Sequence, residues 1–160
     1  MNTTKKRIRN ILPAIVVALA LHGCGVDAFY SDFREVPAGG WQREVPMSFV
    51  LPDSAGVATA DLTLNLRHDN DYPYRNLWLV VDYVGDNRVL HSDTLNVELC
   101  DKFGNWHGSG IGKLFQFSKT LKQSFPIGKV RKVVLWQDMR VDTLTHIEDV
   151  GLSLSPSTSH

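Results

Sequence analysis

Strict alternation of apolar and polar residues constrains this chain more than any other feature. Leu62, Leu64 and Leu66 occupy every second position, with Asp61, Thr63, Asn65 and Arg67 between them. Side chains of an extended strand point to opposite faces with a period of two, so the pattern describes a strand half buried and half wet. The same signal returns along the chain. Leu95, Val97 and Leu99 alternate with Asn96 and Glu98, and Val150, Leu152 and Leu154 repeat the arrangement near the C-terminus. Leu77–Val84 is apolar on both faces except at Asp82, which predicts a central strand, and Val130–Trp136 is β-branched and aromatic at its core. Trp41–Leu51 opens the domain, with Pro46 arguing for an edge strand or a bulge. Lys113–Phe125 is ambiguous: Leu114, Phe117, Leu121 and Phe125 fall at helical spacing, while Phe115 and Phe117 fit a strand. It is read as a strand followed by a turn. Short strands separated by turn residues predict an all-β fold, an antiparallel jelly-roll-like β-sandwich over residues 41–154.

The segments outside this pattern have other tasks. Lys5, Lys6, Arg7 and Arg9 precede an apolar run from Ile11 to Leu21, the order of a secretory signal peptide over residues 1–23. Eleven residues at about 1.5 Å each cover roughly 16 Å, too little to span a hydrocarbon core of about 30 Å. The sequence Leu21-His22-Gly23-Cys24 resembles a bacterial lipobox, from which His22 departs because a small residue is usual there. Its thiol makes Cys24 the expected lipidation site. Two or three acyl chains, at about 0.8 kcal/mol per buried methylene, anchor firmly where one does not. The alternative for Cys24 is a disulfide with Cys100, which spacing leaves open; otherwise Cys100 is a lone thiol, expected buried and inert. Residues 24–40, with Pro37 and Gly39-Gly40, read as the lipidated N-terminus and a tether, and residues 155–160 as a frayed tail.

Loss of residues 1–23 removes four of the 17 basic residues and none of the 17 acidic ones, leaving 13 against 17 and a net charge of −4. A clustered basic face is missing from that balance, so nucleic acid is not an expected partner.

No stretch carries a recognisable catalytic or cofactor pattern. Gly104, Gly108, Gly110 and Gly112 hint at a phosphate cradle, but His107 and Leu114 occupy the positions where a P-loop needs glycine and a hydroxyl residue. A turn-rich loop with Trp106 capping the core or a partner fits better. The histidines, at 22, 68, 91, 107, 146 and 160, lack helix-face metal spacing, although His68 and His91 could converge from neighbouring strands. Asp69-Asn70-Asp71 starts like a calcium loop, yet Tyr72-Pro73 replaces its continuation, and a turn is the better reading. Asp138 and Arg140 flank Met139 and are expected to share one direction, as an ion pair or as a polar patch near Trp106. Nothing has the context of a nucleophile elbow or a Ser/His/Asp set.

Several motifs together are similar to the GldH family of gliding-motility lipoproteins. They are Tyr72-Pro73-Tyr74, Leu77-Trp78-Leu79, Asp93-Thr94, the loop from Gly104 to Gly112, Gln137-Asp138-Met139-Arg140, Leu144 and Ile147–Leu152, in this order over residues 29–154. Cys100, where a small residue is expected, departs from the pattern. The resemblance implies a cell-envelope lipoprotein of the Bacteroidetes type, associated with gliding machinery; it does not imply an enzymatic activity.

The combined expectation is a non-enzymatic lipoprotein, with no cofactor beyond the covalent lipid on Cys24, whose sandwich docks onto another envelope or motility protein. Trp106, His107, Gln137 and Arg140 are the expected contact patch, because aromatic and Arg residues dominate binding energy at interfaces. A tether of about 15 residues would give roughly 20 Å of reach. Gly25 behind the lipidated Cys, without an acidic cluster, favours the periplasmic face of the outer membrane. An envelope glycan-binding module is the competing reading; the small-molecule ligand, if any, is unknown from sequence.

Overall fold

The computed structural model describes residues 28–53 and 57–157. The expected leader, Cys24 with any pairing to Cys100, and the last three residues lie outside the described residues. Eleven strands follow one another: β1 Tyr30–Glu35, β2 Trp41–Gln42, β3 Met47–Val50, β4 Thr59–Asp69, β5 Asn76–Val84, β6 Val89–Glu98, β7 Ser109–Ile111, β8 Leu114–Pro126, β9 Lys132–Gln137, β10 Thr143–Leu144 and β11 Ile147–Pro156. They form a five-stranded sheet in the order β1-β11-β4-β8-β7, a four-stranded sheet in the order β3-β9-β5-β6, and a small β2-β10 ribbon, all antiparallel. Among the described residues no helix is long and apolar enough to cross a membrane.

The alternation predicted in β4 is realised. Leu62, Leu64 and Leu66 are fully buried and meet Leu77, Leu79, Val81, Val133 and Leu135 of the facing sheet in one core. This is the all-β sandwich expected from the sequence. β5 is central and β3 lies at an edge immediately after Pro46, as its missing N–H requires. On the outer face of β4, Asn65 donates to Ser153 Oγ (3.0 Å) and accepts from Ser118 Oγ (2.8 Å), so a polar row crosses three strands.

Three boundaries differ from expectation. The tether predicted over residues 24–40 is largely folded: β1 pairs with β11 from Tyr30↔Leu154 to Glu35↔Asp149, and Val36 is buried behind it. The domain therefore begins near residue 28 rather than at 41. The predicted tail also starts late, because Ser155 and Pro156 still pair with Asp61 and Ala60. Finally, residues 114–126 are one continuous strand with no turn after it begins. Register shifts opposite Leu62 bulge β8, so Phe117, Leu121 and Phe125 reach the core at a spacing of four. That spacing is what imitates a helix.

The strands run between two ends of the sandwich. At one end lie the start of β1, the end of β3, the starts of β4 and β6, and the ends of β5, β8 and β11. The pairs Tyr30↔Leu154, Ala60↔Pro156, Ala60↔Phe125, Val50↔Lys132, Val84↔Lys132 and Val84↔Val89 fix this arrangement. Tyr30 Oη donating to Val50 O (3.0 Å) and the Tyr83–Phe125 ring contact (5.5 Å) join the two sheets there. The chain enters at this end. The far end is about 35 Å away along the 11 residues of β4.

Candidate binding surface

The expected contact residues all sit at the far end, but the structure divides them. Trp106 is drawn inward. Asp101 shapes its loop by accepting from Phe103 N (2.8 Å), Asn105 N (2.9 Å) and Asn105 Nδ2 (2.9 Å), and these hydrogen bonds hold its carboxyl below the ordinary range. Gly104 turns the chain at φ 89°, and Trp106 then bridges back to Cys100. The indole packs edge-on against His68 at 4.6 Å and donates from Nε1 to Asn70 Oδ1 (3.0 Å). His107 is exposed beside it.

His68 itself is fully buried at the end of β4, among Trp106, Tyr72 and Phe115. Burial lowers its pKa below the ordinary value, so the ring is neutral, with Nδ1 placed to donate to Asp69 O (2.9 Å). His91 lies on β6 in the other sheet, stacked on Tyr83 at 5.9 Å and paired with Asp93 at 2.7 Å. The two histidines that the sequence allowed to converge therefore lie in different sheets, each with its own partners. Asp69-Asn70-Asp71 forms the predicted turn: Asp71 N donates to Asp69 Oδ1 (2.8 Å). His146, at φ 66°, closes the corner through Asp69 Oδ2 (2.8 Å), and one ligand-type atom each from Asp69, Asp71 and His146 lies within 4.8 Å of the others.

Gln137 is a core residue rather than a contact residue. It is 1% exposed, accepts from Met139 N (2.9 Å) and donates from Nε2 to Val141 O (3.1 Å), so its amide templates the turn after β9. Asp138 does not pair with Arg140 as expected; its carboxylate takes Arg43 Nη2 at 2.8 Å. Arg140 is left exposed. Its turn is docked on β5, where Asp138 N donates to Trp78 O (2.8 Å) and Met139 Sδ accepts from Trp78 N (3.3 Å).

These contacts build a groove of about 530 Å³ on the outer face of the four-stranded sheet, lined among others by Tyr74, Asn76, Trp78, Thr94, Arg140 and Val141. Trp78 is 40% exposed, an indole on a face where its strand neighbours Leu77 and Leu79 cannot reach. Sequence reasoning missed it by reading β5 as buried on both sides. Its parity opposite Leu77 and Leu79 carried the signal. Trp106 connects to the groove indirectly, through Tyr72 (6.3 Å) and then Tyr74 (5.7 Å). The other large indole of this face, Trp136, is engaged by Asp82 Oδ2 (3.0 Å).

The described residues thus form an all-β sandwich that carries an exposed indole and an exposed guanidinium in one open groove. Comparison with known proteins agrees with the motif resemblance: the family model described as GldH lipoprotein matches residues 28–154, and the chain belongs to that family. It is 25% identical over 155 residues to "Gliding motility lipoprotein GldH" of Flavobacterium johnsoniae, covering 92% of this chain and 97% of the relative. It is 26% identical over 152 residues to "Gliding motility lipoprotein GldH homolog" of Christiangramia forsetii, covering 89% and 93%. The β1 segment lies inside the matched region, consistent with a domain that starts before residue 41.

Proposed function

We propose that this protein is a lipid-anchored component of the cell envelope, held through Cys24 on the periplasmic face of the outer membrane, which acts without catalysis by docking another envelope protein. Its relatives bear the name of gliding-motility lipoproteins, which makes a motility complex the first place to look for that partner. The carrying observation is the groove in which a 40% exposed Trp78 stands beside an exposed Arg140. Trp and Arg are the side chains most enriched among residues that dominate interface energies. The partner segment that suits them offers an apolar or aromatic side chain to Trp78 and a carboxylate to Arg140. His107 borders this end; Trp106 and Gln137 support it from within.

A photo-crosslinking residue at position 140 in the native envelope tests the reading. One discrete protein adduct is expected there, lost when Trp78→Ala is added while the unfolding midpoint stays within a few degrees. A second reading is favoured by Asn76 and Thr94, which set hydrogen-bonding groups beside the exposed indole, as a sugar-binding platform requires. Titration with envelope polysaccharides separates the two: saturable binding abolished by Trp78→Ala would replace the protein partner with a glycan.

A further inference from the structure

The end of the sandwich where the chain enters has been left without a role, and its surface differs from the far end. Five of the ten large apolar side chains exposed among the described residues gather there: Phe29 (47%), Val50 (68%), Val57 (39%), Val89 (53%) and Leu90 (44%). Scattered apolar residues on a surface are ordinary. These are not scattered, because the strand pairings bring the ends of β3, β5, β8 and β11 and the starts of β1, β4 and β6 to one face.

The charges there point the same way. Arg131 is engaged by Asp53 (2.8 Å) and Asp86 (3.0 Å), and Lys122 by Asp93 (2.7 Å). Arg88 in the β5–β6 turn, Lys129 in the short 3-10 turn Ile127–Lys129 and Lys132 at the start of β9 form no ion pair among the described residues. Set against Asp53, Asp61, Asp86 and Asp93, the cations Arg88, Lys122, Lys129, Arg131 and Lys132 leave this end with one positive charge more than its carboxylates, in a chain whose processed form is expected to be net acidic. Between β6 and β8 an open groove of about 360 Å³ lies at the same end, walled by Tyr83, Leu90, Phe125 and Val130, with Lys122 and Lys129 on its lining.

Chain length decides what covers this face. Phe29 N already donates to Leu154 O (3.0 Å), so the folded domain begins there. Only four steps of chain separate Cys24 from Ala28, and fully extended they reach at most about 14 Å. A lipid on Cys24 therefore holds this end within about 14 Å of the anchored sulfur, close to the headgroups. From these observations we infer that the chain-entry end of the sandwich is a lipid-contacting surface. Phe29, Val50, Val57, Val89 and Leu90 lie at the headgroup–acyl boundary, and Arg88, Lys129 and Lys132 face anionic phosphates. The occupant is a phospholipid surface. The inference rests on the lipidation of Cys24 proposed above.

The test uses the full processed chain, purified with its lipid and reconstituted into phosphatidylethanolamine vesicles containing phosphatidylglycerol and nitroxide-bearing lipids. Single cysteines at Val57→Cys or Val89→Cys, and at the far-end control His107→Cys, carry an environment-sensitive fluorophore; Cys100 is buried and should escape labelling. Strong quenching is expected at 57 and 89 and none at 107, which stands about 35 Å farther from the bilayer. A Leu90→Glu and Lys129→Glu background should weaken the quenching at 57 severalfold while the protein still floats with the vesicles. Floating, lipidated protein with no quenching at 57 or 89 would overturn the contact surface and leave the anchor standing. Mass spectrometry showing an unmodified Cys24 in the native protein would overturn both.

Discussion

Gln137 and Arg140 lie three residues apart in one turn and obey opposite forces. The Gln137 amide is sealed in the core, where each of its groups answers a backbone group that would otherwise be buried unpaired. Gln137→Ala should therefore lower stability by about 1–3 kcal/mol, read as a shift in the urea midpoint. Arg140→Ala, at an exposed position away from any such network, should stay within about 0.5 kcal/mol yet weaken partner capture. The same comparison corrects the role expected of Trp106: removing its indole uncovers the neutral His68 and orphans Asn70, so a stability loss is expected before any binding loss. Asp69 and His146 add a pH dependence. The hydrogen bond that His146 donates to Asp69 raises the His146 pKa above its ordinary value. Burial pushes the Asp69 carboxyl up, but hydrogen bonds from His146 and from Asp71 N–H outweigh it and hold the carboxyl low. The histidine part of this stability is complete below about pH 6.5 and is lost as pH rises through the raised value; the aspartate part is complete above about pH 4 and is lost on further acidification. Urea midpoints measured from about pH 5 to pH 8 should decline on the alkaline side, and Asp69→Asn should flatten that decline. An unchanged slope in the variant would assign it to another group.

At the scale of single elements, the strands legible in the sequence were those with an apolar face buried by the opposite sheet, β4, β5, β6, β9 and β11. β1 was unreadable because its alternation runs backwards. Tyr30, Asp32 and Arg34 take the inner side, where Asp32 and Arg34 pair, while Phe33 faces outward. Only the partner strand explains this. Phe33 lies directly opposite Gly151, and a Cβ added there would come within 2.5 Å of the Phe33 ring, so the aromatic fills the space that glycine leaves on β11. No local pattern announces such a cross-strand pair across a separation of more than a hundred residues. The groove was half legible for a related reason: motif order drew attention to Arg140, while Trp78 was hidden in a run that looked apolar throughout. The consequence is testable. A chain started at Val36 bares the edge of β11 together with Gly151, and an unprotected edge strand recruits another. Size-exclusion chromatography should show dimers and larger species, while Phe33→Ala alone should remain monomeric and lose about 1 kcal/mol. A well-behaved monomer from the truncated chain would mean that β1 is dispensable.

On the scale of the whole molecule, the folding of β1 changes what the proposed lipid anchor would do. A 15-residue tether would have let the domain search a volume roughly 20 Å deep. With only residues 25–27 between Cys24 and the described domain, the proposed anchor would instead fix orientation: entry end toward the bilayer, and Trp78, six residues along β5 from Val84, about 20 Å above it. A partner that is itself held at a set height then meets the Trp78–Arg140 groove at a high effective concentration, and affinity need not come from a large interface. Inserting about 20 Gly/Ser residues between Val26 and Asp27 removes that constraint, since a flexible chain of this length reaches roughly 25 Å. Stability and lipidation should not change, because the insertion lies ahead of every described strand and after Cys24. Crosslinking through position 140 should fall severalfold, and the quenching of a label at position 89 should fall with it. Crosslinking that persists at full yield, while the quenching is lost, would show that the groove finds its partner by intrinsic affinity and that the short spacing serves only the membrane contact.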